Sequence, residues 1–347
     1  MIDTGILAPS LIRLYNALLM SGFPTIRPRR LRSCEPLRKM ISQAGVSVGN
    51  LIAPLFVCEG KGVRNEIPSM PGQYQLSCDL AMQTIDRWRL KGIPAVLLFG
   101  LPSEKDEAGS QAWNPNGPVC TLTKMIKSGM SDMLVFTDVC LCGYTTHGHC
   151  GPIRDVPHVG WEVDNDAAIE GLAKTALAHA NAGADFVAPS AMMDGQVKAI
   201  REALDSEGLS RTGIMAYSVK FASALYGPFR DAADSAPQQG NRKTYQMDYR
   251  SPRQARIEAL GDRNEGADII MVKPAGAYLD IIHDLRCEID LPLAAYQVSG
   301  EYSCIKAAAQ KGWIDERSVV IEMVTAIRRS GAEIVITYYA EALADWL

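Results

Sequence analysis

Residues 266–273 read GADIIMVK. Glycine suits the end of a helix, because it takes positive φ without a Cβ penalty. The apolar run behind it reads as a strand buried on both faces rather than one. A lysine closes that strand, although lysine is normally a solvent-facing residue.

The same turn recurs. GAD at 183–185 precedes one apolar run and GAE at 331–333 precedes another. In all there are eight such runs: LIAPLFV (51–57), AVLLF (95–99), MLVFTD (133–138), DFVAPS (185–190), GIMAYS (213–218), DIIMVK (268–273), PLAAYQ (292–297) and IVITYY (334–339). Stretches of helical period lie between many of them, such as Ile169, Leu172, Ala173, Ala176 and Ala180 on one face. Continuous strands alternating with helices predict an α/β fold, a (β/α)8 TIM barrel. The runner-up, an open doubly wound sheet, lacks a Gly-rich phosphate loop after its first strand. Two long excursions interrupt the pattern, at 139–163 and 231–252.

A chain of 347 residues, 47% hydrophobic and 21% charged, is globular, and a barrel of this size is one domain. A formal charge of −4 gives no case for nucleic acid or an anionic membrane as partner. Residues 5–20 are apolar but lack the basic flank of a signal peptide. Arg27, Arg29, Arg30 and Arg32 follow in a Pro-containing segment that reads as an extended arm. Nine scattered cysteines, an odd number, argue for a reducing, cytoplasmic setting.

A barrel places its chemistry at the C-terminal ends of its strands. Those ends carry Asp138, Ser190, Lys220, Lys273, Tyr296 with Ser299, and Tyr338. Directly after Asp138 comes VCLCGYTTHGHCG, with Cys140, Cys142 and Cys150 spaced C-x-C-x7-C. Three thiolates delivered by one loop suit a catalytic zinc with its fourth position open, although a redox pair or a metal-free loop fits the spacing too. His147 and His149 are further candidates, but three thiolates already suffice. Two lysines on neighbouring strand ends suit Schiff-base chemistry, since burial and a second ammonium both disfavour the charged amine; a structural or phosphate-contacting role is the alternative. Arg230, Arg242, Lys243 and Gln246 sit in a loop long enough for a lid, where arginine forks bind carboxylates, or where they simply face solvent. Together these point to carbonyl chemistry on a small keto acid.

At these motifs the chain resembles the 5-aminolevulinate dehydratase (porphobilinogen synthase) family. TDVCLCGYTTHGHCG, APSAMMDGQVKAIREAL, YSVKFASALYGPFRDAA, GADIIMVKPAGAYLDI and YQVSGEYS carry the resemblance, which runs from residue 28 to the C-terminus. It implies condensation of two 5-aminolevulinate molecules to porphobilinogen with loss of two waters, in tetrapyrrole biosynthesis. By that resemblance Lys273 holds the first substrate and Lys220 the second. Cys140, Cys142 and Cys150 bind Zn2+, and Asp138 and Ser190 lie close to the second substrate. Arg230, Arg242 and Gln246 bind one carboxylate, Ser299 and Tyr338 bind the other, and Tyr226 and Tyr296 pack around the substrates. The resemblance further implies an allosteric Mg2+ at Glu258 and a homo-octamer joined by N-terminal arms, here residues 1–36, with the barrel over 37–347. Thr244 stands where some relatives carry a cysteine that helps form a second zinc site, which makes that second site doubtful. Leu225 and Gly143 also depart from common family residues, without touching the chemistry.

Overall fold

The computed structural model describes residues 23–158 and 160–347; expectations placed on residues 1–22, as the first part of an arm, lie outside these. The chain divides into two units, Met1–Gly45 and Val46–Leu347. Within the first, a 3-10 helix (Pro28–Arg32) and a short helix (Glu35–Met40) contain no buried residue.

The second unit is the predicted barrel. Its strands are β1 (Leu51–Cys58), β2 (Ala95–Leu101), β3 (Leu134–Val139), β4 (Phe186–Pro189), β5 (Gly213–Lys220), β6 (Ile269–Lys273), β7 (Leu293–Gln297) and β8 (Ile334–Thr337). Every neighbouring pair is parallel, and β8 returns to β1 through Leu51↔Val335 and Ile52↔Ile336, which closes the sheet. Helices α1 (Cys78–Leu90), α2 (Pro118–Gly129), α3 (Asn165–Asn181), α4 (Gln196–Ser206), α5 (Pro252–Glu265) and α6 (Leu279–Arg286) each follow one strand. Helices α7 (Ser299–Gln310) and α8 (Glu316–Arg329) share the connection from β7 to β8, and α9 (Ala340–Trp346) ends the chain.

The repeated tripeptide has a physical role at the base of the barrel. Gly183, Gly266 and Gly331 take φ of 103°, 106° and 122°, a region costly for any residue with a Cβ. The acid two residues later then reaches back to the preceding strand. Asp185 accepts from the Val135 amide, Asp268 from Ile214 and Glu333 from Leu293, each at 2.8 Å. Each contact satisfies a backbone donor at a strand entry and fixes where the next strand starts.

Two features were not foreseen. Short strands at Arg64–Glu66 and Tyr74–Ser77 extend the sheet beside β1. In addition β5, which ends at Lys220 as expected, carries a bulge: Ala216 pairs Ile270 and Val219 pairs Val272, so β5 spends three residues where β6 spends two. An extra residue shifts the face of everything after it. Lys220 is thereby brought level with Lys273, its register partner.

Asp268→Ala removes one of the three acid-to-amide contacts far from the strand tops. It should cost about 1–2 kcal/mol in denaturant unfolding and leave turnover unchanged; wild-type stability would show that the contact is not structural.

Candidate active site

The two lysines are buried side by side where β5 and β6 end. Lys220 Nζ donates to the Ser190 carbonyl at 2.5 Å. Lys273 Nζ lies among aromatic faces, 4.2 Å from the ring centre of Tyr296, 4.9 Å from Tyr217, 5.1 Å from Phe229 and 5.5 Å from Tyr226. Burial first, and the Lys220 charge second, lower the Lys273 pKa from 10.5 to about 7. A neutral amine is therefore available near neutral pH, as a carbonyl nucleophile requires. The rings also suit the cationic state that follows attack on a ketone, because a π face stabilises a weakly hydrated cation. Asp138 faces the same cavity; burial raises its pKa to about 6 against the opposing pull of Lys220, and its Oδ1 has no hydrogen-bond partner. Such a carboxyl can take or give a proton near neutrality.

Opposite the lysines, the loop after β3 gathers Cys140, Cys142 and Cys150, all buried, with sulfurs within 4.8 Å of one another. Hydrogen bonds from Cys140 and Cys150 lower the Cys142 pKa well below its usual value, and its two neighbours are raised. The trio thus shares negative charge that two protons partly neutralise. A soft divalent ion does that better, and a tetrahedral thiolate site needs sulfurs about 3.8 Å apart, so the donor set fits a metal. The histidines of the run are committed elsewhere. His147 Nδ1 accepts from the His149 amide and its Nε2 donates to the Glu107 carbonyl. His149 Nε2 meets the Gln239 carbonyl and its Nδ1 meets the Tyr245 hydroxyl.

Phe99, Asp138, Cys142, Ser190, both lysines, Tyr226, Phe229 and Arg242 enclose one cavity of ≈ 20 Å³, room for little more than a water. Substrates enter only if a wall moves. Arg242, from segment 235–247, supplies part of that wall and is itself buried. Its Nη2 donates to the Gly148 and Ser235 carbonyls, and its Nε has no partner. Arg230, half-buried, is held below its usual pKa by burial and then by Arg242. Two guanidiniums that repel each other suit a shared carboxylate.

The other predicted binders lie further out. Gln246 lines a separate cavity of ≈ 450 Å³ beside Glu258, with both side-chain polar atoms unpartnered. Ser299 Oγ accepts from the Phe229 amide at 3.0 Å. Tyr338 hydrogen-bonds Tyr296 through their hydroxyls at 3.0 Å, which ties the tops of β7 and β8 together beside Lys273.

The delta-aminolevulinic acid dehydratase family model matches residues 25–346. A Synechococcus elongatus protein of that name is 51% identical over 94% of this chain and 99% of its own length. The Bacillus subtilis protein is 47% identical over 92% and 98%. The solved delta-aminolevulinic acid dehydratase (porphobilinogen synthase) of Toxoplasma gondii ME49, in complex with the reaction product porphobilinogen, superposes with a TM-score of 0.90 at 43% identity, covering 93% of this chain and 91% of that one. The chain belongs to the delta-aminolevulinic acid dehydratase family. Members are hydro-lyases of tetrapyrrole synthesis, and this chain carries that activity on its (β/α)8 barrel.

Against the family's task, four residues gain weight that sequence patterns did not single out. Tyr217 and Phe229 complete the rings around Lys273. Tyr217 escaped because strict alternation puts it on the face opposite Lys220, and only the bulge in β5 reverses that. Glu301 accepts from the Gly276 and Val298 amides at 2.7 Å each, binding the loop after Lys273 to the start of α7, where Ser299 sits. A Glu three residues past a helix start was the available signal. Tyr245, which reaches His149, had none.

The buried amine has a sign-specific thermodynamic signature. Unfolded Lys273 holds its proton up to about pH 10.5, whereas folded it loses the proton near 7. Between those values the unfolded state binds more protons, so folding gains stability as pH rises. Below about 7 the full cost of a buried cation applies. Lys273→Met should therefore melt higher than wild type at pH 7, by about 1–3 kcal/mol, with the margin shrinking towards pH 10. A margin that is constant or reversed contradicts the buried-amine assignment.

Proposed function

We propose that this family member condenses two 5-aminolevulinate molecules into porphobilinogen through Schiff bases on both Lys273 and Lys220, with zinc held by Cys140, Cys142 and Cys150. The single observation that supports it most is the pairing of the two lysine amines in register at the top of the barrel, one of them with its pKa lowered to about 7. In this reading each amine adds to a substrate ketone, and the ketone oxygen leaves as water. The two waters shed overall arise there, and both lysines return free once the C–C and C–N bonds form. Asp138, carrying a proton for part of its time near neutrality, serves the additions and eliminations on the Lys220 side, with Ser190 at the edge of the same cavity. Zinc held by the three thiolates would supply Lewis acidity to the substrate on this side of the cavity. Arg230, Arg242 and Gln246 bind the carboxylate of the Lys220 substrate, the last by moving in with the lid. Ser299 and Tyr338 bind the other carboxylate, and Tyr226 and Tyr296 pack against the substrates.

The reading extends to three surroundings. Glu258 on α5 is raised by burial and then by the Asp194 and Glu265 charges, a repulsion that Mg2+ would relieve. Mg2+ keeps most of its waters, so one protein carboxylate suffices for an allosteric site. Residues 1–36 serve as an arm between subunits of a homo-octamer; Ile26 and Leu31, each 55% exposed, offer apolar surface to a partner. All nine cysteines are unpaired, in keeping with the cytoplasm. Among the described residues no helix is long and apolar enough to cross a membrane.

Chelation should abolish porphobilinogen formation from 5-aminolevulinate, and zinc should restore it; full activity after exhaustive zinc removal overturns the metal assignment. Mg2+ should stimulate wild type and not Glu258→Ala. Equal stimulation of both would remove Glu258 from any magnesium site.

A further inference from the structure

Segment 145–150, inside the cysteine loop, is tied to the lid by four hydrogen bonds. The Gln238 amide donates to the His147 carbonyl at 3.0 Å, and Arg242 Nη2 donates to the Gly148 carbonyl at 2.8 Å. His149 bridges twice. Its Nε2 donates to the Gln239 carbonyl at 3.0 Å, which leaves Nδ1 as acceptor for the Tyr245 hydroxyl at 2.9 Å. Its ring packs 4.5 Å from Trp161, and Trp161 in turn lies against Gly240, where a Cβ would meet it at 2.4 Å. At Gly148, a Cβ would strike the Ala236 carbonyl at 2.5 Å, so glycine is needed for the two backbones to come this close. One residue beyond His149 is Cys150.

From these contacts we propose that His149 is a positioning residue that latches segment 235–247 shut over the metal loop, and that opening this latch sets how fast metal leaves the cysteine trio. The proposal rests on the zinc reading above. With both ring nitrogens spent on the lid, His149 does not ligate; it fixes the backbone of its neighbour Cys150 to the part of the lid that carries Arg242. The cavity of ≈ 20 Å³ is too small for substrate and Arg242 of this segment lines it, so on this proposal the segment opens to admit substrate. Opening removes the Gln239 and Tyr245 contacts, frees His149, and exposes a thiolate-held ion that the closed lid shields. Substrate entry and metal retention thus draw on the same few hydrogen bonds, which hold lid and metal loop as one cooperative unit.

The test uses full-length, zinc-loaded protein and two readouts that do not depend on turnover: the rate of zinc loss to excess chelator, and the rate of protease cleavage within 235–247. Tyr245→Phe deletes only the hydroxyl. It should speed both by roughly 3–10-fold, the effect of one net hydrogen bond. His149→Phe also loses the Gln239 bond and should speed both at least as much, and the double variant should match His149→Phe, since Tyr245 then has no latch contact left to lose. Wild-type rates in Tyr245→Phe, or fully additive effects in the double variant, overturn the latch alone. A wild type that binds no zinc, or zinc content unchanged in Cys150→Ser, overturns the underlying zinc reading and the latch with it.

Discussion

The structure turns on keeping two amines buried next to each other. Ammonium groups in register, out of water, repel and are poorly solvated, so the fold must supply compensation at this point. It does so in two ways. Around Lys273 the rings of Tyr296, Tyr217, Phe229 and Tyr226 replace water with π faces, and the amine sheds its proton near neutrality. Around Lys220 a backbone carbonyl, Asp138 and the cysteine trio provide negative charge or its equivalent. The asymmetry between these surroundings gives two chemically identical residues different tasks.

That arrangement explains why the strand ends and not the strands carry the chemistry. The base of the barrel is fixed by acids that bind strand-entry amides, at Asp185, Asp268 and Glu333. With register set below, the tops tolerate a bulge, a metal loop and a lid. The cost is a cavity of ≈ 20 Å³, too tight for two substrates as it stands. Register-fixing contacts therefore concentrate at one end of the barrel and reactive groups at the other.

Much of this was legible in the sequence, and the omissions have physical causes. Continuous apolar runs with GAD and GAE turns were enough for eight parallel strands, because a sheet buried on both faces leaves little room for other patterns. Reactive residues at strand ends marked Lys220, Lys273 and Asp138, since a buried charge without purpose is costly. The bulge in β5 was invisible because an inserted residue changes no composition; Tyr217 was lost with it. Tyr245 acts on a partner distant in sequence, His149, and nothing local reports such a contact; Glu301 had a local cue in its capping position, but not its bond to the distant Gly276. The histidines of the cysteine run were minor ligand candidates beside three thiolates, and their ring nitrogens bond Glu107, the His149 amide and the lid.

The central claim is that both lysines react with substrate. Reduction with borohydride during a single turnover of labelled 5-aminolevulinate, followed by peptide mapping, tests it directly. The account predicts label on both Lys273 and Lys220, with Lys273 already trapped substantially at pH 7 and levelling off above it. Label on only one of the two, on neither, or only on other lysines of the chain would contradict it.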